Sequence, residues 1–134
     1  MPTLTLPYQI VPGEPYPVPL CDVFVLGPAG KVLVRSVIDS GAVRPIFPLK
    51  AAEDAGIILP AFANDAIQYG GSLTRSWRVT ATVALAELRW NVEVSFVERL
   101  AFSYGLLGRR GVFAQFKEVR FIEKSAPARV ELVW

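Results

Sequence analysis

Residues 37–42 read Val37-Ile38-Asp39-Ser40-Gly41-Ala42, and the fold reading grows outward from them. An apolar strand runs directly into an aspartate, then a hydroxyl residue, then glycine. Such a strand end exposes a carboxylate. Gly41 lets a second chain or a ligand approach the backbone closely. Ser40 has a hydroxyl that can hydrogen-bond nearby backbone or the carboxylate. Asp, Ser and Gly are also turn residues, so a simple turn is the plain alternative.

Composition narrows the chemistry. The chain has 134 residues, enough for one domain, with no histidine, one cysteine and one methionine. No Ser-His-Asp or Cys-His triad can be assembled, no His-ligated metal site is possible, and one cysteine cannot form a thiolate cluster or an internal disulfide. No metal and no cofactor are expected. Acid-base work falls to Asp, Glu, Lys, Tyr, Ser or Thr, and the aspartates are four: Asp22, Asp39, Asp54 and Asp65. Cys21, in an apolar strand, reads as a buried thiol.

Fourteen Lys+Arg against twelve Asp+Glu leave a formal charge of +2. The basic residues are scattered apart from Arg109-Arg110, so no nucleic-acid stripe is visible and no nucleic-acid partner is expected. Hydrophobic residues make up 52% of the chain. That excess suggests a second burial site, a subunit interface or a peptide groove. No apolar run approaches the ~20 residues of a membrane helix, so no membrane partner is expected. The start, Met1-Pro2-Thr3-Leu4-Thr5-Leu6-Pro7, lacks the positive charge of a signal peptide, and the expected compartment is the cytoplasm.

Upstream of Leu20 the chain is proline-rich, and residues 1–16 read as an extended arm or edge strand, because proline removes backbone donors. Residues 17–134 read as one domain. Leu20–Leu26 and Lys31–Ile38 form strands around Gly27-Pro28-Ala29-Gly30, a hairpin. Pro48–Ala55 predicts a short helix ended by Gly56. Gly70-Gly71 between extended runs marks a hairpin tip. Trp77, Val79, Ala81, Val83 and Leu85 alternate with polar residues, as do Val92, Val94 and Phe96. Residues 109–116 predict a second short helix, weakened by Gly111. Phe116–Ile122 and Arg129–Trp134 close the chain as strands. The expected class is all-β, closed or sandwiched, with two short helices. Trp77, Trp90 and Trp134 read as packing residues.

A second stretch lies downstream: Leu106-Leu107-Gly108-Arg109, continuing to Phe116. The ordered set of Asp39-Ser40-Gly41-Ala42, the glycine-tipped hairpin at Tyr69-Gly70-Gly71-Ser72, and this apolar-apolar-Gly-Arg segment resembles the retropepsin-like aspartic proteases, in particular their single-domain bacterial members. The resemblance spans residues 17–121. It implies a closed, dimeric β-barrel with Asp39, Ser40 and Gly41 as the catalytic segment and the hairpin as a flap over an extended peptide. It further implies Ala42, Tyr69, Gly70, Gly71, Tyr104 and Leu106 as substrate contacts, with Gly108 and Arg109 as structural residues. Arg109 is expected to brace a loop or interface. Each chain of a homodimer would contribute one aspartate to a shared dyad. The pattern also departs from the family: where the retroviral branch often has an acidic residue four positions after the aspartate, this chain has Val43, followed by Arg44. A non-catalytic dimeric peptide-binding module on the same fold is the alternative reading.

Overall fold

A computed structural model of the chain describes residues 2–69, 71–100 and 104–134. Strand β2 (Leu20–Gly27) and strand β3 (Gly30–Ile38) pair antiparallel from Leu20↔Val37 to Gly27↔Gly30, leaving Pro28-Ala29 as a two-residue turn. The hairpin expected from the sequence is thus present. From β3 the sheet continues through β8 (Gly105–Leu107), β4 (Ile46–Pro48), β7 (Leu88–Val97) and β6 (Ser72–Leu85). β6 then pairs with β2, Phe24 opposite Ala84, and six strands close into a barrel. Closure satisfies the backbone groups that an open sheet would leave on its edges.

β6 has two partners in succession. Its opening residues, Ser72–Ser76, pair with β5 (Asp65–Tyr69), whereas Thr82–Ala84 pair with β2. A 14-residue strand therefore starts in a hairpin with β5 and ends in the barrel wall. The period-2 pattern sorts its faces as expected: Ala81, Val83 and Leu85 are buried, joined by Val92, Val94 and Phe96 of β7. Phe47 meets Phe96 with ring centroids 6.3 Å apart.

Helix α1 (Leu49–Ala55) packs small residues, Ala51, Ala52 and Ala55, against the barrel. Gly56 ends it at φ 73°, a left-handed conformation that glycine adopts without penalty, and donates its N–H to Glu53. The helix expected over 109–116 contracts to a 3-10 turn, Phe113–Gln115. The physical reason is Gly111, at φ 81°, which breaks any right-handed helical run ahead of Val112. The chain therefore has one α-helix and one 3-10 turn among the described residues.

A second, three-stranded antiparallel sheet has the order β1 (Thr3–Pro7), β10 (Arg129–Val133), β9 (Glu118–Ile122). The proline-bearing β1 lies at its edge, as expected. Val130 and Leu132 of β10 turn inward to the main core. Trp77, Trp90 and Trp134 pack against that core, with Trp134 edge-on to Phe116 at 6.0 Å. Cys21 is 3% exposed, and burial pushes its thiol up to about 12, so it stays protonated near neutral pH and offers no nucleophile.

One buried polar group departs from this order. Ser76, opposite both Asp65 and Val97, is fully buried, yet its hydroxyl has no hydrogen-bond partner among the described residues. A desolvated, unpaired hydroxyl destabilises the folded state. Ser76→Ala should therefore raise stability by about 1 kcal/mol. The expected reading is a higher urea midpoint at an unchanged denaturant slope.

Candidate active site

The Asp39 segment is shaped by strand order. β8 lies between β3 and β4, the strands that enter and leave the 39–45 loop, so that loop must cross the C-terminal end of β8. It is fastened there by backbone bonds. The Asp39 N–H donates to Leu107 O at 3.0 Å, the Arg109 N–H to Ala42 O at 3.0 Å, and the Arg110 N–H to Val43 O at 2.7 Å. Gly108 makes this crossing possible. A Cβ at 108 would stand 2.8 Å from Ala42 O, Val43 C and Arg44 N, all backbone atoms that cannot swing aside.

Within the loop, Asp39 is half-buried and its Oδ1 accepts the Gly41 N–H at 2.8 Å. That bond, rather than the Ser40 hydroxyl, orients the carboxylate. Ser40 is exposed, with no side-chain hydrogen bond among the described residues. The second carboxylate oxygen likewise has no hydrogen-bond partner among them.

Asp39 opens into a groove of about 350 Å³. Gly41, Ala42 and Leu106 line it, so these three expected residues meet Asp39 in one place. Leu106 and Ala42 belong to a small apolar cluster with Leu20 and Tyr104, against which Ile46 and Ile67 pack. Tyr104 is in that cluster but does not line the groove; its hydroxyl donates to Glu14 Oε1 at 2.7 Å, which ties it to the N-terminal segment. The β5–β6 hairpin contributes Ile67 and Gln68 to the groove wall. Towards its tip Tyr69 pairs with Ser72, and Gly71 stands at φ 81°. Gly70 and the Tyr69 side chain lie outside the described residues. Arg109 is exposed and its side chain has no ion-pair partner among the described residues, so its contact to the site is its backbone N–H.

Sequence reasoning missed a charged corner of the groove. Arg44 and Ser95 line it beside Asp39. Behind them stand Asp65, which opens β5, with Arg78 of β6 and Glu93 of β7. Arg78 lies 3.0 Å from Asp65 Oδ2 and 3.6 Å from Glu93 Oε1. Arg44 reaches the same two carboxylates at 3.8 and 3.7 Å. These residues are separated by up to 51 positions in the chain, so no local pattern could have assembled them. Among the described residues no cluster of side chains suited to a metal ion is found, and no helix is long and apolar enough to cross a membrane.

The fold is that of the retropepsin-like aspartic proteases. A retropepsin-like aspartic protease from Rickettsia conorii superposes with a TM-score of 0.64 and 14% identity, over 98% of this chain and 91% of that one. EIAV protease, in its complex with the inhibitor HBY-793, superposes with a TM-score of 0.54 and 11% identity, over 75% of this chain and 88% of that one. No protein-family model and no curated protein matches the sequence. The likeness is therefore one of backbone path.

Gly108→Ala tests the crossing. The added methyl must displace backbone of residues 42–44, and overpacking of this kind costs about 2 kcal/mol. The urea midpoint should fall, and the Arg109 and Arg110 amides should lose protection in hydrogen exchange before the β6–β7 pair does.

Proposed function

We propose that the chain is an aspartic endopeptidase that acts on extended peptides as a homodimer. The observation that carries this reading is the half-buried Asp39 carboxylate, held by the Gly41 amide in the lining of a groove on the retropepsin fold. One chain supplies one such aspartate. Two chains meeting on a two-fold axis would bring Asp39 and its symmetry mate together. Two carboxylates in contact cannot both ionise, so the pair shares one proton. The ionised member takes a proton from a water molecule, which attacks the scissile carbonyl. The protonated member donates to that carbonyl oxygen as it gains charge. The collapsing tetrahedral intermediate receives its proton at the leaving nitrogen from the same pair. The β5–β6 hairpin acts as the flap: Ile67 and Gln68 face the groove, and a glycine pair at the tip lowers the cost of bending. Apolar residues beyond the needs of one small core supply the subunit interface and the groove.

The test is subunit mixing. Asp39→Asn is nearly isosteric, so it should preserve the fold and abolish cleavage. A mixed dimer lacks one half of the dyad and should be nearly inactive. Titrating the variant into wild type under subunit exchange should lower activity as the square of the wild-type fraction. The pH profile should be bell-shaped, because only the singly protonated pair works. A linear fall would mean that each chain holds a complete site. A wild-type protein that binds extended peptides yet cleaves none between about pH 4 and 7 would be a peptide-binding module instead.

A further inference from the structure

Arg44 follows Asp39 on the same loop and is among the residues that line the same groove. A guanidinium carries five N–H donors in a fixed fork. In this chain the Arg44 fork makes no short bond. Its hydrogen-bond and ion-pair partners are Ser95 Oγ at 3.5 Å, Glu93 Oε1 at 3.7 Å and Asp65 Oδ2 at 3.8 Å. Charge-assisted N–H···O bonds normally settle at about 2.7–2.9 Å. Arg78 approaches Asp65 Oδ2 to 3.0 Å, so it has the stronger hold on that carboxylate. The Arg44 side chain is only 24% exposed. It is therefore largely withdrawn from water without the close partners that would replace water.

The surroundings favour an anion. Arg44 and Arg78 balance Asp65 and Glu93. Arg109 and Arg110, fastened by their amides to Ala42 and Val43, add two cations with no ion-pair partner among the described residues. Arg110 and Arg44 both line an adjoining cleft of about 310 Å³. With Asp39 counted beside Asp65 and Glu93, four arginines stand against three carboxylates and leave this corner at +1, next to a groove that also carries the apolar residues Ile46, Ile67 and Leu106. A carboxylate matches the planar fork of Arg44 in a way that an amide or an ammonium does not.

We infer that Arg44 is a specificity-determining residue that receives an acidic side chain of the bound peptide. Arg44 and Asp39 line one groove, so the acidic side chain belongs to a residue near the bond held at Asp39. This inference rests on the peptide-groove reading above, and the test separates the two.

A peptide series carries Glu, Gln or Lys in turn at each of the three positions on either side of the central bond. Binding is measured by fluorescence anisotropy on Asp39→Asn, which leaves peptides uncut, and cleavage is measured on wild type. At one position Glu should exceed Gln by about tenfold, with Lys weakest, and the difference should shrink when salt is raised to about 0.5 M. Arg44→Glu should reverse the order. Arg44→Gln should remove the preference, and Arg44→Lys should keep part of it, because a point charge attracts a carboxylate without the bidentate fit. Reversal of sign is an effect that a merely structural role for Arg44 would not produce. If Arg44→Glu fails to fold, the Lys and Gln variants decide the outcome. Equal use of Glu and Gln at every position, or a Glu preference that survives Arg44→Gln, overturns the inference and leaves the peptidase reading standing if cleavage occurs. Glu-selective, Arg44-dependent binding without cleavage does the reverse. Absence of binding by the whole series overturns both.

Discussion

The backbone clasp between Gly108–Arg110 and Ala42–Val43 is the constraint on which the site depends. The Arg109 and Arg110 amides donate to the Ala42 and Val43 carbonyls, while the Asp39 amide donates to the Leu107 carbonyl. These bonds lock the end of β3 against the end of β8, and the loop between β3 and β4 has no other route. A glycine at 108 is needed because the two backbones touch. The position of the Asp39 backbone follows from that contact. Its depth, the direction of its carboxylate and the groove beside it are set by a loop whose path is fixed from below.

Barrel closure and the hairpin over the groove share a strand. β6 gives one stretch to β5 and another to β2, so the hairpin wall holding Ile67 and Gln68 is continuous with the barrel. The ionic group at its base adds a second link. Asp65, the first residue of β5, is bridged by Arg78 of β6, while Asn64 donates to and accepts from the Arg78 backbone. These contacts are partly screened by water, so their value lies in geometry more than in energy. They place the hairpin base, the Asp39 loop and the β7 edge in one charged neighbourhood, and Arg44 is the member that faces the groove.

Much of the secondary structure was legible because its causes are local. Pro28-Ala29 between two β-branched runs can only turn. Alternation along Trp77–Leu85 assigns faces because a strand has period 2. Gly56 stops α1 because it accepts a left-handed conformation. The 109–116 segment was less legible: its apolar spacing suits a helix, and only the left-handed backbone at Gly111 reduces it to a single 3-10 turn. Tyr104 shows the limit from the other side. Its distance in sequence from Gly108 places it near the site, but its hydroxyl bonds to Glu14, some ninety positions upstream, and it packs behind the groove wall.

By itself the sequence determined which side chains this protein lacks and which aspartate ends an apolar strand. No histidine and a single cysteine exclude whole classes of chemistry, and Asp39 is the one aspartate at the end of an apolar strand followed by Ser40-Gly41. The tertiary structure alone decided which residues surround that carboxylate. Leu106, Ile67, Ser95 and Arg44 come from separate strands and one loop, and their meeting depends on β8 inserting between β3 and β4. That insertion is a long-range event, driven by burial of apolar faces and by the pairing of backbone groups with no local partner. Nothing in the spacing of Arg44, Asp65, Arg78 and Glu93 announces it, because charge pairs across a barrel are set by strand register and not by neighbours along the chain.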